Sequence, residues 1–264
     1  MEKHQFQHIK VELPEISGGN IPRNYAIISL NRPDKLNAIT VQTLEEIVVA
    51  LYSMELDSEI NCVMLRGTKH FTKKPSFSTG ADLSSPFKPG IKPNIPIHMT
   101  YAMYLFHKSF NIIEQFPKPL IAAIDGFALG GGCELSLVCD IIVASKRSTF
   151  GFSEILRGIF PAGGGTQRMV RHIGLARATR MLFFGERFSA EQMHKWGYVH
   201  FLVKNENFED FIIKIMEKIS SLSTKSQYVA KKTLKFGTQA PLKIGSKIAE
   251  LGAGLNPPSD KSEE

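Results

Sequence analysis

Apolar and polar positions alternate along this chain in two periods, one of strands and one of helices. His8 to Leu13 and Tyr25 to Leu30 are apolar-rich runs separated by Ser17-Gly18-Gly19-Asn20, which predicts a β-hairpin with a long loop. Thr40 stands where it would cap a helix whose stripe, Leu44, Ile47, Val48 and Leu51, keeps the spacing of one helical face. Cys62 to Leu65 predicts a short buried strand. Residues 98 to 115 predict a helix stopped by Pro117 and Pro119, followed by a strand at Leu120 to Ile124 and a turn at Asp125-Gly126. Cys133 to Cys139 reads as a short helix and Ile141 to Ala144 as the next strand. Helices over 164–173, 176–184 and 190–196 end at Gly174, Gly185 and Gly197, and Ser189 with Gln192 has the spacing of a capping box. Tyr198 to Val203 predicts a last strand, before helices over 207–221, 224–236 and 241–252. Strand–helix alternation with apolar strands argues for an α/β core with right-handed crossovers. That core is assigned to residues 1–200 and a helical appendage to 201–264.

Between Phe71 and Pro96 the pattern breaks into a proline-rich loop, and long loops inside domains are usually functional or mobile. Residues 118 to 145 are the most apolar stretch, yet Asp125, Glu134 and Asp140 interrupt it, so a buried strand-helix-strand is expected rather than a membrane span. At 264 residues, 43% hydrophobic and 22% charged, the chain can bury one substantial core. The net charge of +7 fits a small anionic ligand as well as a nucleic acid or a membrane surface. Without Arg-rich blocks or a nucleic-acid module, nucleic acid is not expected as a partner. Cys62, Cys133 and Cys139 lie among apolar residues without Cys-x-x-Cys spacing, which predicts reduced core thiols in a cytoplasmic protein. The polar N-terminus lacks the apolar middle of a signal peptide.

Candidate chemistry concentrates in three segments. Gly130-Gly131-Gly132 leaves backbone N–H groups bare at the start of a predicted helix, which suits an oxyanion or a tightly packed turn. Glu134 follows in the first turn, where the helix dipole favours a carboxylate regardless of other duties, but its apolar neighbours make it costly unless it is paired or used. Glu154 stands between Phe150-Gly151-Phe152 and Ile155-Leu156, with Arg157 near enough in sequence for a structural ion pair. Ser78-Thr79-Gly80-Ala81-Asp82 offers a second set of bare backbone donors, with Asp82 also suited to an Asx turn. No metal is expected from the scattered histidines, and neither a Ser-His-Asp arrangement nor Gly-x-Ser-x-Gly occurs.

Taken together, Ser29-Leu30-Asn31-Arg32-Pro33-Asp34-Lys35-Leu36-Asn37-Ala38, Phe77 to Asp82, Gly126 to Asp140, Phe150 to Arg168, Ser189-Ala190-Glu191 and Trp196-Gly197 resemble the crotonase superfamily, the enoyl-CoA hydratase/isomerase family. The resemblance runs over roughly residues 8 to 255, in the family's order. It implies an α/β spiral of repeated ββα units with a C-terminal helical trimerisation region, giving homotrimers or dimers of trimers. It also implies an acyl-coenzyme A thioester as ligand and no separate cofactor, coenzyme A being part of the substrate. The thioester oxygen would rest on the N–H groups of Ala81 and Gly131. Glu134 would help activate the water that adds to C3, and Glu154 would deliver the proton to C2. Lys35, Ala38, Ser78, Asp82, Leu83, Gly130, Pro161 and Gly163 fall at positions implied to contact the substrate.

Hydration needs a base, an acid and a sink for the enolate charge, and two glutamates with two amides supply all of them. The expected activity is therefore an enoyl-CoA hydratase. An isomerase or thioester hydrolase on the same scaffold is the alternative, and a non-catalytic acyl-CoA-binding protein the third reading. Ser153 stands where the family commonly has proline, and Pro161-Ala162-Gly163-Gly164-Gly165-Thr166 alters the usual glycine arrangement. The residues 84–97 are expected to shape the acyl pocket, and the family's usual closing segment is expected to be missing beyond Asn256.

Overall fold

The structure is a computed structural model that describes residues 5–13, 24–69, 74–84, 90–92 and 94–256. The predicted Ser17–Asn20 turn and parts of the proline-rich loop, including Pro86, Pro89 and Pro93, lie outside the described residues. The first hairpin forms: β1 (Ile9–Glu12) pairs antiparallel with β2 (Tyr25–Leu30). Helix α1 (Val41–Glu55) starts at Thr40, whose side chain accepts from Thr43 N at 3.1 Å, while Thr43 Oγ1 accepts from Thr40 N at 3.2 Å. This reciprocal cap satisfies two N–H groups that the first turn would leave orphaned.

From there the chain winds as a spiral. Strand β3 (Cys62–Gly67) is followed by β4 (Ser76–Ser78) and α2 (Pro96–Gln115); β5 (Leu120–Ile124) by β6 (Phe127–Leu129) and α3 (Gly131–Leu137); β7 (Ile141–Ser145) by β8 (Thr149–Gly151), α4 (Gly165–Ile173) and α5 (Leu175–Phe184). Strand β9 (Arg187–Ser189), α6 (Ala190–Lys195) and β10 (Phe201–Val203) complete the sheets. Each turn contributes one strand to a six-stranded sheet, ordered β1-β2-β3-β5-β7-β10, and one to a four-stranded sheet, ordered β4-β6-β8-β9. Sequence periodicity predicted the larger sheet and missed the smaller one.

Strand β3 explains how the larger sheet is covered on both faces. Val63 and Leu65 point into the main core, which includes Leu44, Ile47, Phe110 and Phe150, while Cys62 and Met64 pack against Phe208, Ile212 and Met216 of α7 (Phe208–Ser220). Successive strand residues face opposite sides, so an unbroken apolar run signals burial on both. Helices α8 (Thr224–Gly237) and α9 (Leu242–Leu255) form a hairpin that attaches through charge. Lys231, the buried residue of α8, donates to Asp140 Oδ2 at 2.6 Å and to Lys118 O at 3.0 Å.

Candidate active site

The two short segments β4 and β6 lie side by side in parallel, and this brings the loops that follow them together. After β4 the chain turns at Gly80; after β6 it turns at Gly130 into α3. A β-carbon built on Gly131 would lie 3.2 Å from Ala81 N, and one built on Gly80 would lie 3.1 Å from Gly131 N, so the two turns are in contact. Ala81 is exposed, and among the described residues neither Ala81 N–H nor Gly131 N–H has an acceptor. Gly131 opens α3, where N–H groups have no partner inside the helix. Two bare donors thus converge beside a helix N-terminus, the arrangement that stabilises an oxyanion.

The loop carrying Ala81 is fixed from behind. Ile39 N donates to Gly80 O at 2.7 Å and Asp82 N to Ile39 O at 2.8 Å, flanking Ala81 on both sides. Arg32 Nη2 donates to Asp82 Oδ2 at 2.8 Å and its Nη1 to Ala38 O at 2.5 Å. Asp82 also completes its Asx turn, accepting from Ser84 N at 3.0 Å and Ser84 Oγ at 2.6 Å. Burial pushes the Asp82 carboxyl upward, but the Ser84 and Arg32 hydrogen bonds and the Arg32 charge outweigh it and hold it at about 2. Ser78 is fully buried, its hydroxyl accepting from Gly80 N at 3.2 Å. Lys35 is exposed at the end of a 3-10 turn, and Leu83 is 60% exposed beside Asp82.

Glu134 sits in the first turn of α3 with only 5% of its surface exposed. Its Oε1 accepts from Gly165 N at 2.8 Å, where Gly165 begins α4. The carboxylate lies so close to Gly163 that a β-carbon there would collide with Oε2 and with the Phe110 ring. Burial raises the Glu134 carboxyl to about 7, the Glu154 charge adds to the rise, and the Gly165 and Gly163 backbone with the Arg168 charge oppose it. Pro161, buried, leads the chain into this glycine turn.

Glu154 follows β8 in a 3-10 turn and lays its carboxylate against Gly130. At Gly130 φ is +51°, and a β-carbon would fall 2.7 Å from Glu154 Oε1, so both the backbone and the neighbour call for glycine. Arg157 is exposed and forms no ion pair with Glu154 among the described residues. The structural ion pair that the sequence allowed is therefore absent there. Glu154 Oε2 is buried without any hydrogen-bond partner. Burial raises its carboxyl, with its own backbone N–H and the Arg157 charge opposing the rise.

Gly163, Gly130 and both glutamates thus converge with Ala81 and Gly131, whereas Lys35 and Leu83 are exposed. Sequence reasoning missed Gly165, Arg168 and Arg32. The glycine run at 163–165 carried a signal for the first; the side-chain partners of the two arginines, Asp82 for Arg32 and Asn111 and Glu114 for Arg168, lie fifty or more residues away in sequence and could not be read. Among the described residues no three His, Cys, Asp or Glu side chains gather to hold a metal ion.

Comparison with known proteins agrees with this fold. The family profile described as enoyl-CoA hydratase/isomerase matches residues 20–250. The short-chain-enoyl-CoA hydratase of Clostridium acetobutylicum is 34% identical over 82% of this chain and 80% of its own length. The mitochondrial enoyl-CoA hydratase of Pongo abelii is also 34% identical, over 84% of this chain and 72% of its own. A crystal structure of enoyl-CoA hydratase from Bacillus anthracis superposes with a TM-score of 0.83 at 32% identity, covering 95% of this chain and 91% of that one. With its spiral of paired strands, its contacting amide turns, its buried Glu134 and its half-buried Glu154, the chain belongs to the enoyl-CoA hydratase/isomerase family, the crotonase superfamily.

Proposed function

We propose that this protein is an enoyl-CoA hydratase, adding water reversibly across the C2=C3 bond of an enoyl-CoA thioester. The observation that carries the reading is the pair of carboxyls, Glu134 buried and Glu154 half-buried, the second with a buried oxygen that has no partner. Two acids raised by burial, Glu134 further by the Glu154 charge, favour holding a single proton between them, one donor and one acceptor. Glu134, ionised, takes a proton from water as its oxygen bonds to C3. The C2=C3 electrons move onto the thioester oxygen, which accepts from Ala81 N and Gly131 N. As the enolate collapses, C2 takes the proton from Glu154. Each oxyanion donor is worth about 2.7 to 4 kcal/mol in the transition state.

In this reading Lys35 meets the coenzyme's phosphates, while Ala38, Asp82 and Leu83 line its entry. Ser78 holds the Ala81 turn from inside, and Gly130, Pro161 and Gly163 leave room for the acyl group. Residues 1–200 serve as the catalytic core and 201–264 as the region that joins copies into trimers or dimers of trimers. The three buried free cysteines support a reducing compartment such as the cytoplasm.

Glu134→Gln and Glu154→Gln test the roles. Each is expected to lower turnover of a short trans-2-enoyl-CoA by about 10²- to 10⁴-fold while ligand binding persists. Variants that bind and turn over as the parent does would leave a binding protein instead.

A further inference from the structure

Arg168, in the first turn of α4, three residues after Gly165, joins three elements. Its Nε and Nη2 donate to Glu114 Oε2 at 3.1 and 2.7 Å, and Nη2 also donates to Asn111 Oδ1 at 2.9 Å. Glu114 and Asn111 both lie on α2. The remaining nitrogen, Nη1, makes a long 3.5 Å contact with Gly163 O and packs directly against the α-carbon of Gly164. The side chain is only 16% exposed, so its charge acts through a poorly screened path. Gly163 to Gly165 is the turn that lies on both oxygens of Glu134.

We propose that Arg168 is a positioning residue for Glu134: anchored on α2 by Glu114 and Asn111, it pins the glycine turn beneath the carboxylate and lends it positive potential. The inference rests on Glu134 being the base of the proposed hydration. Among the described residues, the charged and titratable groups around Glu134 are few. The 3-10 turn contributes Glu154 and Arg157, α2 contributes His107 and Glu114, and α4 contributes Arg168. Strands β4 and β6 contribute none, and Cys133 on α3 has its thiol pushed up by burial. Arg168 is the cation among them that lowers the Glu134 carboxyl. Glu114 is shared with Lys235 of α8, whose Nζ lies 3.9 Å from Oε1, so the anchor of Arg168 also touches the C-terminal hairpin.

The test compares Arg168→Met with Arg168→Lys in the full chain, following kcat/KM for a short trans-2-enoyl-CoA across pH. Without the cation, the acid limb should move up by about one unit, giving a roughly tenfold loss near pH 6 that recovers to within about threefold at pH 9.5. Arg168→Lys should leave the limb within about 0.3 unit of the parent's, because the charge remains. A uniform loss at every pH, or identical behaviour of the two variants, would overturn the proposal. Should Arg168→Met not fold, Arg168→Gln removes the charge while keeping hydrogen bonds, and an unmoved limb there overturns it equally. Titration of the Glu134 carboxyl by carbon NMR, assigned by difference from Glu134→Gln, reads the same shift without turnover. If the parent hydrates no enoyl-CoA, the hydratase reading fails, while an NMR shift in Arg168→Met would still support the positioning role.

Discussion

Glu134 makes the site thermodynamically expensive, and its cost is measurable. The unfolded chain ionises this carboxyl near 4.5, whereas burial holds the folded one at about 7. The native state therefore binds the proton more tightly. Stability from this group is fully present below the unfolded value and is lost as pH rises to the folded one. The loss is about 3 kcal/mol by the size of the shift. Glu134→Gln cannot ionise, and its amide oxygen can still accept from Gly165 N. Urea denaturation should thus show the variant gaining on the parent between about pH 4 and pH 8, by roughly that amount. Parallel stability curves would mean that the carboxyl is not buried as described. In sequence, Glu134 was legible because its neighbours Cys133 and Leu135 are core residues. Glu154 was harder to read: Arg157 stood ready as a partner, and only three dimensions show it turned outward.

At the scale of elements, legibility followed length. In the larger sheet β2, β3, β5 and β7 run five or six residues, and apolar runs of that size stand out, whereas β10, expected over Tyr198 to Val203, keeps only Phe201–Val203. All four strands of the smaller sheet have three residues, too few to show any period. Yet this smaller sheet positions the chemistry. Strand β4 delivers Ala81, β6 delivers Gly131 and α3, and β8 delivers Glu154. Helix α3 was expected from Cys133 and begins at Gly131, because glycines read as a turn while their backbone is already helical. Helix α2 likewise begins at Pro96, where proline's missing N–H costs nothing. The site residues were legible as motifs before the sheet that assembles them was.

Across the whole molecule, exposed apolar side chains gather away from the core. Ile155 and Leu156 pack beside Gly185 at the end of α5, next to the exposed Phe183 and Phe184, and exposed Leu234, Leu242, Leu251 and Leu255 lie on the α8–α9 hairpin. Patches of this kind mark association surfaces. They support the proposed trimer: light scattering at micromolar concentration should report about three chains or six, and a monomer would count against it. No helix among the described residues is long and apolar enough to cross a membrane. The central claim is that two carboxyls act on one water across an acyl group whose carbonyl is held by two amides. Mass spectrometry of the products formed from an enoyl-CoA in ¹⁸O-labelled water tests this most directly. Two-carboxyl hydration yields a 3-hydroxyacyl-CoA carrying one labelled oxygen at C3, with the thioester intact. Free coenzyme A, an unlabelled product with a migrated double bond, or unchanged substrate at every chain length would contradict it.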